Sequence, residues 1–96
     1  MATYGTVMIG KLAPGVTRAD WEKGLEEWKQ ARNAPGFQGE YLLVGDDGRT
    51  IASCVIFSSK EEYLALADDP EQDTWWREKA MPMLDGDVQW IDGSWG

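Results

Sequence analysis

Residues 37–57 read Phe-Gln-Gly-Glu-Tyr-Leu-Leu-Val-Gly-Asp-Asp-Gly-Arg-Thr-Ile-Ala-Ser-Cys-Val-Ile-Phe. Two runs rich in aromatic and branched side chains, Phe37 to Val44 and Arg49 to Phe57, flank Asp46-Asp47-Gly48. Acidic residues followed by glycine are a hairpin signal, so the reading is two antiparallel strands joined by a tight turn. Side chains alternate between the two faces of a strand. Tyr41 and Leu43 therefore oppose Leu42 and Val44, and Ala52, Cys54 and Ile56 oppose Ile51, Val55 and Phe57. A sheet with one wet face alternates apolar and polar residues. This hairpin is apolar on both.

Upstream, residues 3–12 also suit a strand, with Tyr4 and Met8 on one face and Val7 and Ile9 on the other. Ala13-Pro14-Gly15 breaks it. Thr17 opens a helix, with Asp20 as its capping-box partner. Trp21, Leu25, Trp28 and Ala31 recur at helical spacing, while Glu22, Glu26, Lys29 and Gln30 point elsewhere. Gly24 beside that stripe permits close approach to a neighbouring surface. The helix ends at residues 33–36, where Pro35 biases Ala34 away from helical angles.

Downstream, Ser58 or Ser59 caps a second helix through Glu61 or Glu62, with Tyr63, Leu66 and Ala67 facing inward. Asp69-Pro70 restarts it, aspartate as cap and proline in the first turn. Trp75, Trp76, Lys79, Ala80 and Met83 follow, and Pro82 bends or ends the helix. Val88 to Ile91 reads as a last strand, with Trp95 in a short tail. The order strand–helix–strand–strand–helix–strand predicts a single α+β domain over residues 1–96. It is ferredoxin-like, with a four-stranded antiparallel sheet and both helices on one face. The second apolar face needs a cover, and a second copy of the same sheet is the simplest one, so a homodimer is expected.

The composition narrows function mostly by exclusion. Six tryptophans and no histidine occur in 96 residues. Tryptophan supplies a large rigid apolar body with one donor, which suits an aromatic-lined pocket or an interface. Without histidine the chain lacks the usual proton shuttle and the commonest metal ligand. A net charge of −8 repels phosphate backbones and anionic membranes, so neither nucleic acid nor a membrane is expected as a partner. The N-terminal segment reads as a strand rather than a signal peptide, and no apolar stretch is long enough to span a bilayer. The single Cys54 makes no internal disulfide and, with no histidine to activate it, reads as a buried, inert thiol. A cytoplasmic location is expected. The acidic turns at Asp46-Asp47-Gly48 and Asp85-Gly86-Asp87 lack calcium-loop spacing. No zinc spacing, phosphate loop or dinucleotide fingerprint is present, so no metal and no cofactor is expected.

Three stretches resemble a known group of proteins. Pro35-Gly36-Phe37-Gln38-Gly39 is similar to the Pro-Gly-Phe-x-Gly opening of the second strand in the dimeric α+β-barrel superfamily. Phe57-Ser58-Ser59-Lys60-Glu61-Glu62-Tyr63 resembles its strand-to-helix junction. Asp69 to Trp76, followed by an acidic turn and a Trp-containing strand, resembles its second helical region. The resemblance covers nearly the whole chain and is strongest to the antibiotic-biosynthesis-monooxygenase-like branch. It implies a homodimer with sheets packed face to face and a ligand cavity between each sheet and its helices. That branch includes cofactor-free oxygenases of quinol-like aromatics and haem-degrading oxygenases. The residues that the haem-degrading members require fall, by ungapped matching, on Met8, Leu66 and Trp76. None is of the required type, so haem degradation does not carry over.

The ligand-binding candidates are Trp28, Tyr63, Trp76 and Arg77. Trp28 and Trp76 close inward helical stripes, and Tyr63 could donate or accept a proton in a cavity. Arg77 stands four residues from Asp73, where it would hold a phenolate or carboxylate while Asp73 positions it, or form a simple surface pair. Thr6 and Tyr41 are weaker candidates. Asn33 reads as a helix cap, and Trp90 and Trp95 as interface residues. No catalytic base is evident, and whether the chain is an enzyme stays open. Three readings stand: a dimer binding a small apolar or aromatic molecule in a Trp-lined cavity, extending to cofactor-free monooxygenation; a non-catalytic ligand-binding or stress-associated dimer; and a structural interaction domain with a filled core.

Overall fold

A computed structural model describes residues 3–95. The elements are β1 (Tyr4–Lys11), α1 (Arg18–Arg32), β2 (Phe37–Val44), β3 (Thr50–Phe57), α2 (Lys60–Ala67), α3 (Pro70–Trp75) and β4 (Gln89–Ser94). The four strands form one sheet in the order β2-β3-β1-β4, and every neighbouring pair is antiparallel. This is the ferredoxin-like arrangement, with β1 and β3 at the centre and β2 and β4 at the edges.

Local chemistry sets the boundaries. Thr17 caps α1 by accepting from the Asp20 amide, and the Asp20 carboxylate accepts in return from the Thr17 amide. Asn33 ends the helix in the left-handed region at φ 42°, which asparagine tolerates better than most residues. Ser59 caps α2 and accepts from the Glu62 amide. Asp69 caps α3, with Pro70 following it. Asp47 shapes the hairpin turn. It accepts from the amides of Arg49 and Thr50 and from the Thr50 hydroxyl, and these bonds hold its carboxyl down at about 2. Gly48 takes φ 72°, a conformation open to glycine at little cost.

The helices cover the face that carries Met8, Leu12 and Ile51. These pack with Trp21 and Ala80 into one buried cluster. Gly24 allows the close approach of Met83, whose Cε would lie 3.0 Å from an added Cβ. A second cluster gathers Trp28, Phe57 and Tyr63. Its rings run edge to face from Trp28 to Phe37 (5.2 Å), Phe37 to Phe57 (5.7 Å) and Phe57 to Tyr63 (5.7 Å). Arg32, in the last turn of α1, is clamped between Asp69 and Glu71 and fixes α1 against the start of α3.

Three expectations need correction. The helix expected to bend or end at Pro82 already ends at Trp75. Residues Trp76–Ala80 form a wider π-type turn and Met81–Met83 a 3-10 turn. Pro82 has no amide hydrogen to donate, so the helix loosens ahead of it. The last strand runs from Gln89 to Ser94 rather than from Val88 to Ile91. The edge of β1 from Tyr4 to Ile9 needs partners for its backbone groups, and β4 supplies them through Asp92 and Ser94 despite their poor strand propensity. Cys54 is half-buried rather than buried. It lies on the sheet face away from the helices, in register with Val7 and Tyr41.

Two substitutions of unlike kind should separate local from tertiary contributions in urea unfolding. Thr17→Ala removes half of a capping box and should cost about 1 kcal/mol. Phe57→Ala empties a fully buried aromatic site and should cost about 3–5 kcal/mol.

Candidate functional site

Between the sheet and the helices lies a cavity of about 280 Å³. Strand alternation decides what the sheet contributes. Thr6 pairs with Val55 and Asp92, and Met8 with Ser53 and Trp90, so all six side chains face the helices. All six line the cavity. Helix α1 adds Trp21, Leu25 and Trp28, helix α2 adds Tyr63 and Leu66, and the stretch from α3 into the wide turn adds Gln72, Asp73, Trp75 and Trp76. Five of the six tryptophans thus border one space.

The indoles are held in two groups. Trp28 and Trp75 lie 6.3 Å apart, and Trp28 Nε1 donates to Gln72 Oε1 at 2.8 Å. Trp76 and Trp90 meet edge to face at 4.9 Å. Trp21 Nε1 is buried without a hydrogen-bond partner among the described residues. Polar chemistry concentrates at Tyr63, whose hydroxyl donates to Asp92 Oδ1 at 3.1 Å. The Thr6 hydroxyl donates to the Ile91 carbonyl at 3.1 Å. Burial pushes the Tyr63 phenol up to about 12; the charge of Asp92 adds to that effect and the nearby Thr6 hydroxyl opposes it. The phenol therefore stays protonated through the neutral range.

Of the sequence candidates, Trp28, Tyr63 and Trp76 come together here, and Thr6 joins them. Arg77 does not. It lies outside the lining, pairs with Asp73 at 3.0 Å, and both side chains are 64% exposed. The wide turn that begins at Trp76 carries it out to solvent. Tyr41 is also elsewhere, exposed on the opposite sheet face. Asn33 acts as the expected cap. Trp90, expected at an interface, lines the cavity while remaining half-exposed, because its register with Met8 turns it toward the helices. Trp95 lies by Gly5, with Nε1 2.6 Å from where a Cβ would stand, and outside the cavity lining. Asp92 was missed. The parity that places Thr6 and Met8 on the helix face would have found it, had β4 been extended by one residue.

Met8, Leu66 and Trp76, the positions matched to the haem-degrading proteins, all line the cavity. A thioether, an isobutyl group and an indole stand where that chemistry needs other side chains, and no histidine is present to bind iron. The residues do not fit haem in that manner. No group of three or more metal-ligating side chains occurs among the described residues.

Comparison with solved structures places this architecture. A candidate antibiotic biosynthesis monooxygenase from Bordetella bronchiseptica superposes with a TM-score of 0.75 at 14% identity, covering 97% of this chain and 96% of that one. The fold is shared with the antibiotic-biosynthesis-monooxygenase-like proteins. A Streptomyces coelicolor monooxygenase bound to nanaomycin D gives 0.69 at 17% identity, covering 97% of this chain and 87% of that one. A hydroxynitrile lyase from Passiflora edulis gives 0.71 at 12% identity, covering 98% and 94%. No protein-family model and no curated protein matches the sequence. Neighbours that include both a monooxygenase and a lyase share one fold, so the fold alone does not choose a reaction.

The phenol of Tyr63 gives a direct test of the site's polarity. Its titration, followed by tyrosinate absorbance, should fall near 12, against about 10 for an ordinary tyrosine. Between those values the folded chain holds a proton that the unfolded chain has released. Stability should therefore decline as pH rises through that window, and Tyr63→Phe should flatten the decline.

Proposed function

We propose that this protein is a small-molecule-binding homodimer whose cavity encloses a flat, largely apolar aromatic compound. One observation carries the reading: five indoles and a buried phenol border a single space between sheet and helices. Burying aromatic surface against indole is favourable by area, and offset or edge-on ring contacts add to it. The cavity volume approaches the lower end of small-ligand sites. A structural neighbour of the same fold is bound to nanaomycin D, which supports a small-molecule ligand here.

The exposed apolar side chains of the other sheet face support the dimer. Tyr41, Leu43 and Ile91 are 71%, 68% and 59% exposed there, beside Val7, Ile9 and Ile56. An apolar surface of this extent on a small chain marks an association site. A second copy of the sheet presents the same uncharged chemistry and closes with two-fold symmetry. The half-buried Cys54 on that face, its thiol pushed up by burial, suits a reducing compartment such as the cytoplasm.

Cofactor-free monooxygenation is the second reading, and Asp92 is the observation that favours it. Of the two carboxylates that line the cavity it is the one with no ion-pair partner among the described residues. It would take a proton from an acidic carbon or hydroxyl while Tyr63 orients it. The enclosure would hold the resulting electron-rich ligand for reaction with oxygen.

Anthrone should quench the tryptophan fluorescence, and Trp76→Ala should weaken its binding by about 1–3 kcal/mol while lowering the melting temperature only modestly. A large loss of stability with no quenching by anthrone would mark a filled core instead. Accelerated oxygen uptake with bound anthrone, abolished in Asp92→Asn, would establish the enzyme; binding without uptake would leave a binding protein. Separately, sedimentation at micromolar concentration should give twice 10.8 kDa. Val7→Asp, which places a carboxylate in the apolar face, should give the monomer.

A further inference from the structure

We propose that the aromatic compound this cavity takes is a cation, a flat ring system carrying a quaternary or protonated nitrogen. The inference rests on the reading that the cavity holds a flat aromatic molecule, and it adds the sign of the charge. Five indoles border the space, and the face of an indole is the negative pole of its quadrupole, so a cation gains from each ring whose face it meets. No lysine or arginine lines the space. The ionisable groups that do are Asp73, Asp92 and Tyr63.

These three are not equivalent. The charge of Asp73 is answered by Arg77 at 3.0 Å. Tyr63 remains a neutral phenol and spends its proton on Asp92 Oδ1. Asp92, an exposed residue at the edge of the cavity, has one oxygen occupied by a neutral donor and no ion pair among the described residues. It follows Trp90 by two residues on the same face of β4, about 7 Å along the strand. The Trp76–Trp90 pair and the carboxylate therefore belong to one corner of the cavity. A ring lying against those indoles brings a substituent nitrogen within reach of Asp92. An anionic ligand meets the reverse: electron-rich rings, a carboxylate with no ion pair among the described residues, and a chain of net charge −8. Arg77, which would have answered an anion, is paired and outside.

Three probes of matched shape test the charge by equilibrium dialysis: 1-methylquinolinium, the neutral 1-methylnaphthalene and the anionic 1-naphthoate. The cation should bind at least tenfold more tightly than the neutral compound, and the anion should not bind measurably. Asp92→Asn should shrink the preference to less than threefold while leaving 1-methylnaphthalene within twofold of its original affinity. Asp87→Asn removes the same charge from an exposed position outside the cavity lining and should leave the preference intact. Asp92→Ser, which keeps an acceptor for Tyr63, gives the same readout if the asparagine variant does not fold.

If the neutral probe binds as tightly as the cation, or the anion binds best, the inferred charge is wrong while the aromatic cavity stands. A preference that survives loss of the Asp92 carboxylate also overturns the inference, because it belongs to the acidic surface as a whole. If none of the three binds, the aromatic-cavity reading fails and the inference fails with it.

Discussion

The antiparallel pairing of β1 with β3 is the constraint on which the rest depends. It fixes the parity of every residue on the two central strands. Tyr4, Thr6 and Met8 face the helices with Phe57, Val55 and Ser53, while Val7 and Ile9 face away with Cys54 and Ala52. A slip of one residue would exchange the two sets. It would put Val7 and Cys54 under the helices and turn Met8 out to solvent. Both edge strands inherit their parity from this pair, and so do the position of Trp90, the aim of Asp92 and the apolar character of the uncovered face.

Much of this was legible in the sequence, because it is carried by short-range chemistry. Caps such as Thr17 with Asp20, Ser59 with Glu62, and Asp69 with Pro70 need only their immediate neighbours, and they mark three helix starts correctly. Alternation along Phe37 to Phe57 assigns the faces without knowledge of the partners. Trp28, Tyr63 and Trp76 follow from helical spacing in the same way. What escaped was set at long range. Asp92 belongs to a strand only because β1 has unpaired backbone groups beside it, eighty-six residues earlier at Thr6. The wide turn at Trp76–Ala80 depends on how the chain approaches Pro82 while keeping Ala80 in the core. That turn takes Arg77 out of the site to which an uninterrupted helical reading had assigned it.

The cavity and the uncovered face divide the apolar residues between two tasks. Five of the six indoles, with the phenol of Tyr63, gather on the helix side, where rigid rings border a space between packed elements. The aliphatic residues Val7, Ile9, Leu43, Ile56 and Ile91 gather on the other. Separation of this kind lets the pocket vary without altering the surface that would join two subunits.

The wide turn has one more consequence, for how such a cavity is altered over time. A π-type turn is an α-helical turn holding one residue too many. Its chain length is therefore adjustable in a way that a regular helix is not. Loss of a single residue between Trp76 and Ala80 would let the helix close to its ordinary pitch. The sheet, the caps and the Arg32 clamp lie outside that stretch. Trp76, and with it the shape of the cavity mouth, would rotate. Insertions and deletions are usually confined to surface loops, but here the wall of the site itself could take one.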